Sequence, residues 1–212
     1  MRRRNVHNAH ERLLDHNEIM VFNYKENKGK WHKLFNNDNP IYLEIGTGKG
    51  KFIIELAKRN PNINYIGLEK YESVILQPCD RLKKEGISLP NLRFICGNAD
   101  ELLDIFDHNE IDKIYLNFSD PWPKAKHAKR RLTHELFLSK YLIINKGTVE
   151  FKTDNIDLFE YSLISLNNFK ANFLKVSLNL HRSEEEIITT EYEDKFKEKG
   201  VIYFIEVDLH QK

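Results

Sequence analysis

Short apolar runs alternate along the chain with stretches in which apolar residues return every three or four positions. Five of the runs, Ile41 to Ile45, Ile63 to Leu68, Leu92 to Cys96, Ile111 to Phe118 and Thr148 to Phe151, have the length and composition of buried strands. Between them, Lys51 to Arg59 sets Phe52, Ile53, Leu56 and Ala57 on one helical face, and Tyr71 to Lys84, Ala99 to Phe106 and Thr133 to Ile144 carry similar patterns. Strand and helix in repeated alternation predict an α/β fold with a doubly wound, mostly parallel sheet. After Asp154 a helical stretch reaches about Asn168, and Phe173 to Leu180 and Val201 to Leu209 then alternate as strands, which predicts an antiparallel hairpin at the C-terminal end. The first 39 residues are mainly polar and read as an arm, basic at Arg2 to Arg4, leading into one domain over residues 40 to 212.

Composition leaves this picture standing. With 41% hydrophobic and 31% charged residues the chain is neither disordered nor membrane-embedded in type. No apolar run is long enough for a span and none follows Met1-Arg2-Arg3-Arg4, so a cytoplasmic protein without signal peptide or membrane contact is expected. Cys79 and Cys96 lack the spacing of a zinc or redox pair and are expected as reduced thiols. The Asn117-Phe118-Ser119 sequon is, in that compartment, a coincidence. The net charge of +1 hides one concentration: five of the eight residues from Lys124 to Arg131 are Lys or Arg, either a solvated face or a site for a polyanion.

The first predicted strand runs directly into Glu44-Ile45-Gly46-Thr47-Gly48-Lys49-Gly50 and then a helix, the layout of a nucleotide-type site. Glycines there admit positive φ and a close ligand. In Gly-x-Gly-x-x-Gly the third glycine would fall on Lys51, which disfavours a dinucleotide, and no Gly-Lys-Ser/Thr follows, which excludes a P-loop. S-adenosylmethionine fits better, because it offers an ammonium, a ribose diol and an adenine amino group rather than phosphates. Glu44 is placed to accept from the ammonium, Glu69 at the next strand end from both ribose hydroxyls, and Asn98-Ala99 at the third to meet the adenine. Gly46, Gly48 and Gly50 form the cradle.

The fourth strand delivers Ser119-Asp120-Pro121-Trp122-Pro123-Lys124, a loop stiffened by two prolines, and then Lys126, His127, Ala128, Lys129, Arg130 and Arg131. An aromatic and a fixed carboxylate beside a basic tract suit a base stacked close to its own phosphate backbone. In Ser119 to Lys124, in His127 and Lys129-Arg130-Arg131-Leu132, in Phe151-Lys152-Thr153-Asp154-Asn155 and in Thr190-Glu191-Tyr192-Glu193, the chain resembles the bacterial tRNA (guanine-N7)-methyltransferase family, and the resemblance extends from about Lys28 to Val207.

That resemblance implies a class I (Rossmann-like) methyltransferase fold and transfer of the methyl group of S-adenosylmethionine, with S-adenosylhomocysteine as product and no metal, to N7 of a tRNA variable-loop guanosine, usually position 46. It implies cofactor contacts at Glu44, Glu69, Asn98 and Asp120, catalytic roles for Asp120 and Asp154, acceptor contacts at Lys124, Asp154, Thr190, Glu191, Tyr192 and Glu193, and RNA contacts from Lys126 to Arg131. The expected partner is tRNA, bound by a monomer or homodimer with no obligate protein partner. The sequence departs from the family pattern at Asn98, commonly Asp, and at Ala125 and Ala128, where basic or polar residues are frequent. Two other readings stay open on the residues alone: a methyltransferase for an exocyclic amino group, whose Asn/Asp-Pro-Pro-aromatic motif is half echoed by Asp120-Pro121-Trp122, and a non-catalytic RNA-binding protein with a vestigial loop.

Overall fold

Strands packed on both faces must be apolar at nearly every position, and β1 (Ile41–Ile45) and β2 (Asn64–Glu69) are buried almost throughout. The computed structural model describes residues 6–182, 186–196 and 200–210; Arg2 to Arg4 lie outside the described residues. In chain order its elements are α1 (Ala9–Leu14), α2 (Trp31–Phe35), β1, α3 (Lys51–Arg59), β2, α4 (Glu72–Glu85), β3 (Leu92–Cys96), α5 (Leu102–Ile105), β4 (Ile111–Asn117), α6 (Glu135–Ile144), β5 (Asn145–Thr153), α7 (Ile156–Asn168), β6 (Asn172–Ser177), α8 (Glu191–Phe196) and β7 (Tyr203–Asp208). Among the described residues no helix is long and apolar enough to cross a membrane, and both cysteines are free.

The sheet has seven strands in the order β3-β2-β1-β4-β5-β7-β6. All neighbours pair in parallel except β7, which runs antiparallel to both β5 and β6 and so makes the expected hairpin with the last strand inserted. Strand order reverses between β1 and β4, the switch point at which open α/β sheets form a crevice beyond their carboxyl ends. Side-chain alternation feeds two cores. Leu43, Ile66 and Ile114 pack with α5, α6 and α7 on one face, whereas Tyr65, Leu92 and Phe94 pack with α1, α3 and α4 on the other.

Three expectations change. Residues expected as an N-terminal arm carry α1 and α2 and pack onto the sheet: Ile19 and Val21 hydrogen-bond to Phe94, Leu13 joins the core with α4, and Trp31 is fully buried, donating from Nε1 to the Ile105 carbonyl at 3.0 Å. The apolar residues responsible are too sparse for a periodic signal, and only the assembled sheet shows what they cover. The helix expected from Ala99 to Phe106 splits into a 3₁₀ turn (Ala99–Glu101) and α5, because Asn98 and Glu101 close a capping box around its start. Leu180 leaves the strand for a 3₁₀ turn (Leu180–Arg182) and packs with Ile202 and Phe204.

Trp31→Ala is expected to lower unfolding free energy by about 3–5 kcal/mol, measured by urea denaturation followed by circular dichroism. A loss within experimental error would mean that the segment before β1 is not part of the cooperative unit.

Candidate functional site at the β1/β4 crevice

The loop after β1 takes the backbone conformation its glycines allow, with φ of 80° at Gly46, 59° at Gly48 and 74° at Gly50. The three have different duties. Gly46 borders the crevice, and a Cβ added there would meet nothing within 4 Å, so the missing side chain leaves open space for a ligand. Gly48 donates its N–H to Glu69 Oε2 at 3.1 Å. Gly50 faces inward, where a Cβ would stand 2.8 Å from Pro78 Cβ of α4, so it serves packing. Glu44 lies beneath the loop at 2% exposure and is held by Thr47 Oγ1 at 2.6 Å and Asn117 Nδ2 at 2.8 Å. Burial, only partly offset by those two donors, pushes its carboxyl up to about 7.

The crevice encloses about 560 Å³ and is lined by Gly46, Glu69, Asn98, Ala99 and Asp120 of the expected cofactor set. Glu44, Gly48 and Gly50 are not among its lining residues. Glu69 accepts from the backbone of Gly48 and of Tyr71, at 3.1 Å each, which holds its carboxylate on the crevice wall. Asn98 uses its side-chain oxygen on the Asp100 N–H, at 3.2 Å. Asn117 and Phe118 also line the crevice and were not anticipated. The available signal was a polar residue closing the apolar run of β4, as Glu69 closes β2.

Beyond β4 the backbone is strained. Phe118 and Trp122 have φ of 52° and 44°, a conformation that costs side chains of this size about 1–3 kcal/mol each and concentrates where geometry serves function. Two contacts hold Trp122: the Arg130 guanidinium lies 4.8 Å from its ring centroid and His127 meets it edge-on at 5.8 Å. The basic tract forms a 3₁₀ turn (Ala125–Arg130) that leaves Lys124, Lys126, Lys129 and Arg130 exposed. Lys129 and Arg130 reach the rim of the crevice. Arg131 does something else, donating to the carbonyls of Pro121 and Trp122 at 3.1 and 3.0 Å with its guanidinium over Tyr161, and so clamps the loop.

Asp154 is exposed past the end of β5 and accepts from the Tyr192 hydroxyl at 2.8 Å. Burial and then this bond push the Tyr192 phenol up to about 12. The Tyr192 ring in turn packs 5.0 Å from Phe118, so Asp154, Tyr192 and the crevice wall form one line. The rest of Thr190-Glu191-Tyr192-Glu193 faces the protein. Thr190 Oγ1 accepts the Glu193 N–H and Glu193 Oε2 the Thr190 N–H, at 3.0 and 3.3 Å, a capping box that starts α8. Glu193, fully buried, also meets His181 at 2.7 Å and Lys152 at 3.7 Å, and burial pulls the Lys152 ammonium down. Glu191 accepts from the backbone N–H of Lys51 and pairs with Arg81, each at 3.3 Å. Of this motif, therefore, the structure brings Tyr192 to the acceptor side and sets Thr190 and Glu193 in the interior.

The Glu44 carboxyl carries a sign for stability. The unfolded chain releases this proton near 4.5 and the folded one near 7, so the contribution is complete below pH 4.5 and is lost as pH rises through 7. That corresponds to at most about 3 kcal/mol. Glu44→Gln is expected to unfold with a flatter pH dependence between pH 5 and 8, read from thermal melts of both proteins. Parallel curves would show that the carboxyl titrates normally.

Known proteins place this site in a family. Residues 38–204 match the family model described as "Putative methyltransferase". The chain is 50% identical to the tRNA (guanine-N(7)-)-methyltransferase of Geobacillus sp. (strain WCH70), covering all of this chain and 99% of that one. It is 48% identical to the protein of that name from Bacillus cytotoxicus, over 94% of this chain and 93% of the relative. A solved structure of an antibiotic-related methyltransferase superposes with a TM-score of 0.63 at 19% identity, over 84% of this chain and 92% of the other, and shares the fold. With near-complete coverage at half identity, the chain belongs to the tRNA (guanine-N7)-methyltransferase family.

Proposed function

We propose that this chain transfers the methyl group of S-adenosylmethionine to N7 of a guanosine in the variable loop of tRNA, usually position 46. One observation carries the reading: Gly46 and Glu69 share a single crevice with Asp120, Trp122, Lys129 and Arg130, so a nucleoside cradle and a basic, aromatic surface face the same space. The residues present fit the cofactor. Gly46 leaves open space, Glu69 places a carboxylate on the crevice wall, and the buried Asn117 Oδ1 has no hydrogen-bond partner among the described residues. When bound, S-adenosylmethionine supplies a methyl group already activated by its sulfonium.

Guanine N7 is an acceptor with an in-plane lone pair and no proton, so no residue is needed to remove one. The chain's work is positioning, which contributes up to about 7–11 kcal/mol when nucleophile and electrophile are held in line. Asp120, on the crevice wall, offsets positive charge moving onto the purine. Asp154, oriented by the Tyr192 hydroxyl, accepts from the guanine N–H edge opposite N7, which favours guanine over adenine. Lys124, Lys126, Lys129 and Arg130 hold the phosphate backbone while the base swings out of the tRNA tertiary structure.

Incubation with labelled cofactor and tRNA with or without the variable-loop guanosine tests the reading. Label incorporated only in the presence of that guanosine, and released on strand cleavage by borohydride and aniline, is expected. A product resistant to that treatment would indicate an exocyclic methylamine instead. Asp120→Ala and Asp154→Ala are each expected to lower turnover about 100-fold with the fold intact, and normal rates in either would remove that residue from the chemistry. Removing charge at Lys129 and Arg130 should reduce the salt slope of tRNA binding by about 0.9 per lost phosphate contact. Arg131→Ala should instead lower the melting temperature, since its donors are spent on the Pro121 and Trp122 carbonyls.

A further inference from the structure

Asn117 closes β4 at the switch point, borders the crevice and is 8% exposed. Its two side-chain ends have opposite situations. Nδ2 donates to Glu44 Oε1 at 2.8 Å, while Oδ1 is buried with no hydrogen-bond partner among the described residues. The ionised form of Glu44, present as pH rises through about 7, fixes the sense of the neighbouring amide: the NH₂ faces it, so the carbonyl oxygen faces elsewhere. Thr47 holds the other oxygen of Glu44, which presents Oε1 to Asn117. A buried acceptor without a donor is costly, and a ligand bringing an N–H donor relieves the cost.

The order of the walls says which donor. Across β3, β2, β1 and β4 the strand ends present Asn98, then Glu69, then the Gly46 turn, then Asn117. With adenine at the first and ribose at the second, the amino acid end of the cofactor lies against the last two. Its only N–H donor is the α-ammonium, and a carbonyl backed by a carboxylate is suited to a cation.

Resting on the cofactor reading above, we propose that Asn117 Oδ1 accepts a hydrogen bond from the α-ammonium of S-adenosylmethionine, and that Glu44 is a positioning residue that sets the sense of the Asn117 amide. The sequence placed Glu44 at that ammonium directly. The geometry moves the contact one residue outward.

Calorimetric titration of the full chain with S-adenosylhomocysteine, which keeps the ammonium, and with methylthioadenosine, which lacks the amino acid end, separates the possibilities. Asn117→Leu is expected to weaken S-adenosylhomocysteine about 10- to 100-fold and methylthioadenosine less than about threefold. Glu44→Gln, which still accepts from the Asn117 amide, should stay within about threefold of wild type for S-adenosylhomocysteine, whereas Glu44→Leu should fall as far as Asn117→Leu. Equal losses for both ligands in Asn117→Leu, or no loss for either, overturn the contact. Glu44→Gln falling as far as Glu44→Leu restores the direct pairing of Glu44 with the ammonium and overturns the positioning role. If Asn117→Leu does not fold, the side-chain carbonyl carbon resonance of Asn117 in the wild-type protein decides: it should move with S-adenosylhomocysteine and not with methylthioadenosine, and the same response to both overturns the proposal. Wild-type protein that binds neither ligand overturns the cofactor reading itself.

Discussion

A buried carboxylate joins the two halves of this sheet. Glu44, at the end of β1, is bonded forward to Thr47 in the glycine loop and sideways to Asn117 at the end of β4. These are the two strands between which the order reverses. An unpaired carboxylate in that position would be severely destabilising. Two donors make it tolerable, and in doing so they fix the loop and the exit of β4 relative to each other. The crevice, the strained Phe118 and the Trp122 loop all follow from that exit.

The elements legible in the sequence were those with a repeating signature. Five apolar runs became β1 to β5 and their helical intervals became α3, α4, α6 and, over the second half of Ala99 to Phe106, α5, because the spacing of apolar residues marks a core-facing strand or helix. Glu44 and Glu69 were equally legible, since a polar residue closing an apolar run has little structural reason to be there, whereas Asn117, which closes β4 in the same way, was not anticipated. Trp31 and Leu13 were not, because what buries them is a sheet assembled from residues far along the chain.

The site divided along the same line. Gly46, Glu69, Asn98 and Asp120 fell on one crevice because strand order alone brings strand ends together. Residues with two chemical uses were harder. Arg131 is as basic as Arg130, yet its donors go to backbone carbonyls, a difference that exists only once the loop has closed. Thr190 and Glu193 have the spacing of a capping box as well as a place in a family motif, and the local hydrogen bonds decide how they are used. Gly50 looked like its two neighbours, and only Pro78 distinguishes it.

Lys51 adds a matter of timing. It opens α3 directly after the glycine loop, and it is tied to Thr189 and Asp194, partners 138 and 143 residues later in the chain. Contacts of such separation carry a large loop-closure cost and form only when the distant segment is present. During synthesis the glycine loop therefore leaves the ribosome early but lacks this brace until the stretch around α8 has been made. The first part of the site to be written is among the last to be secured.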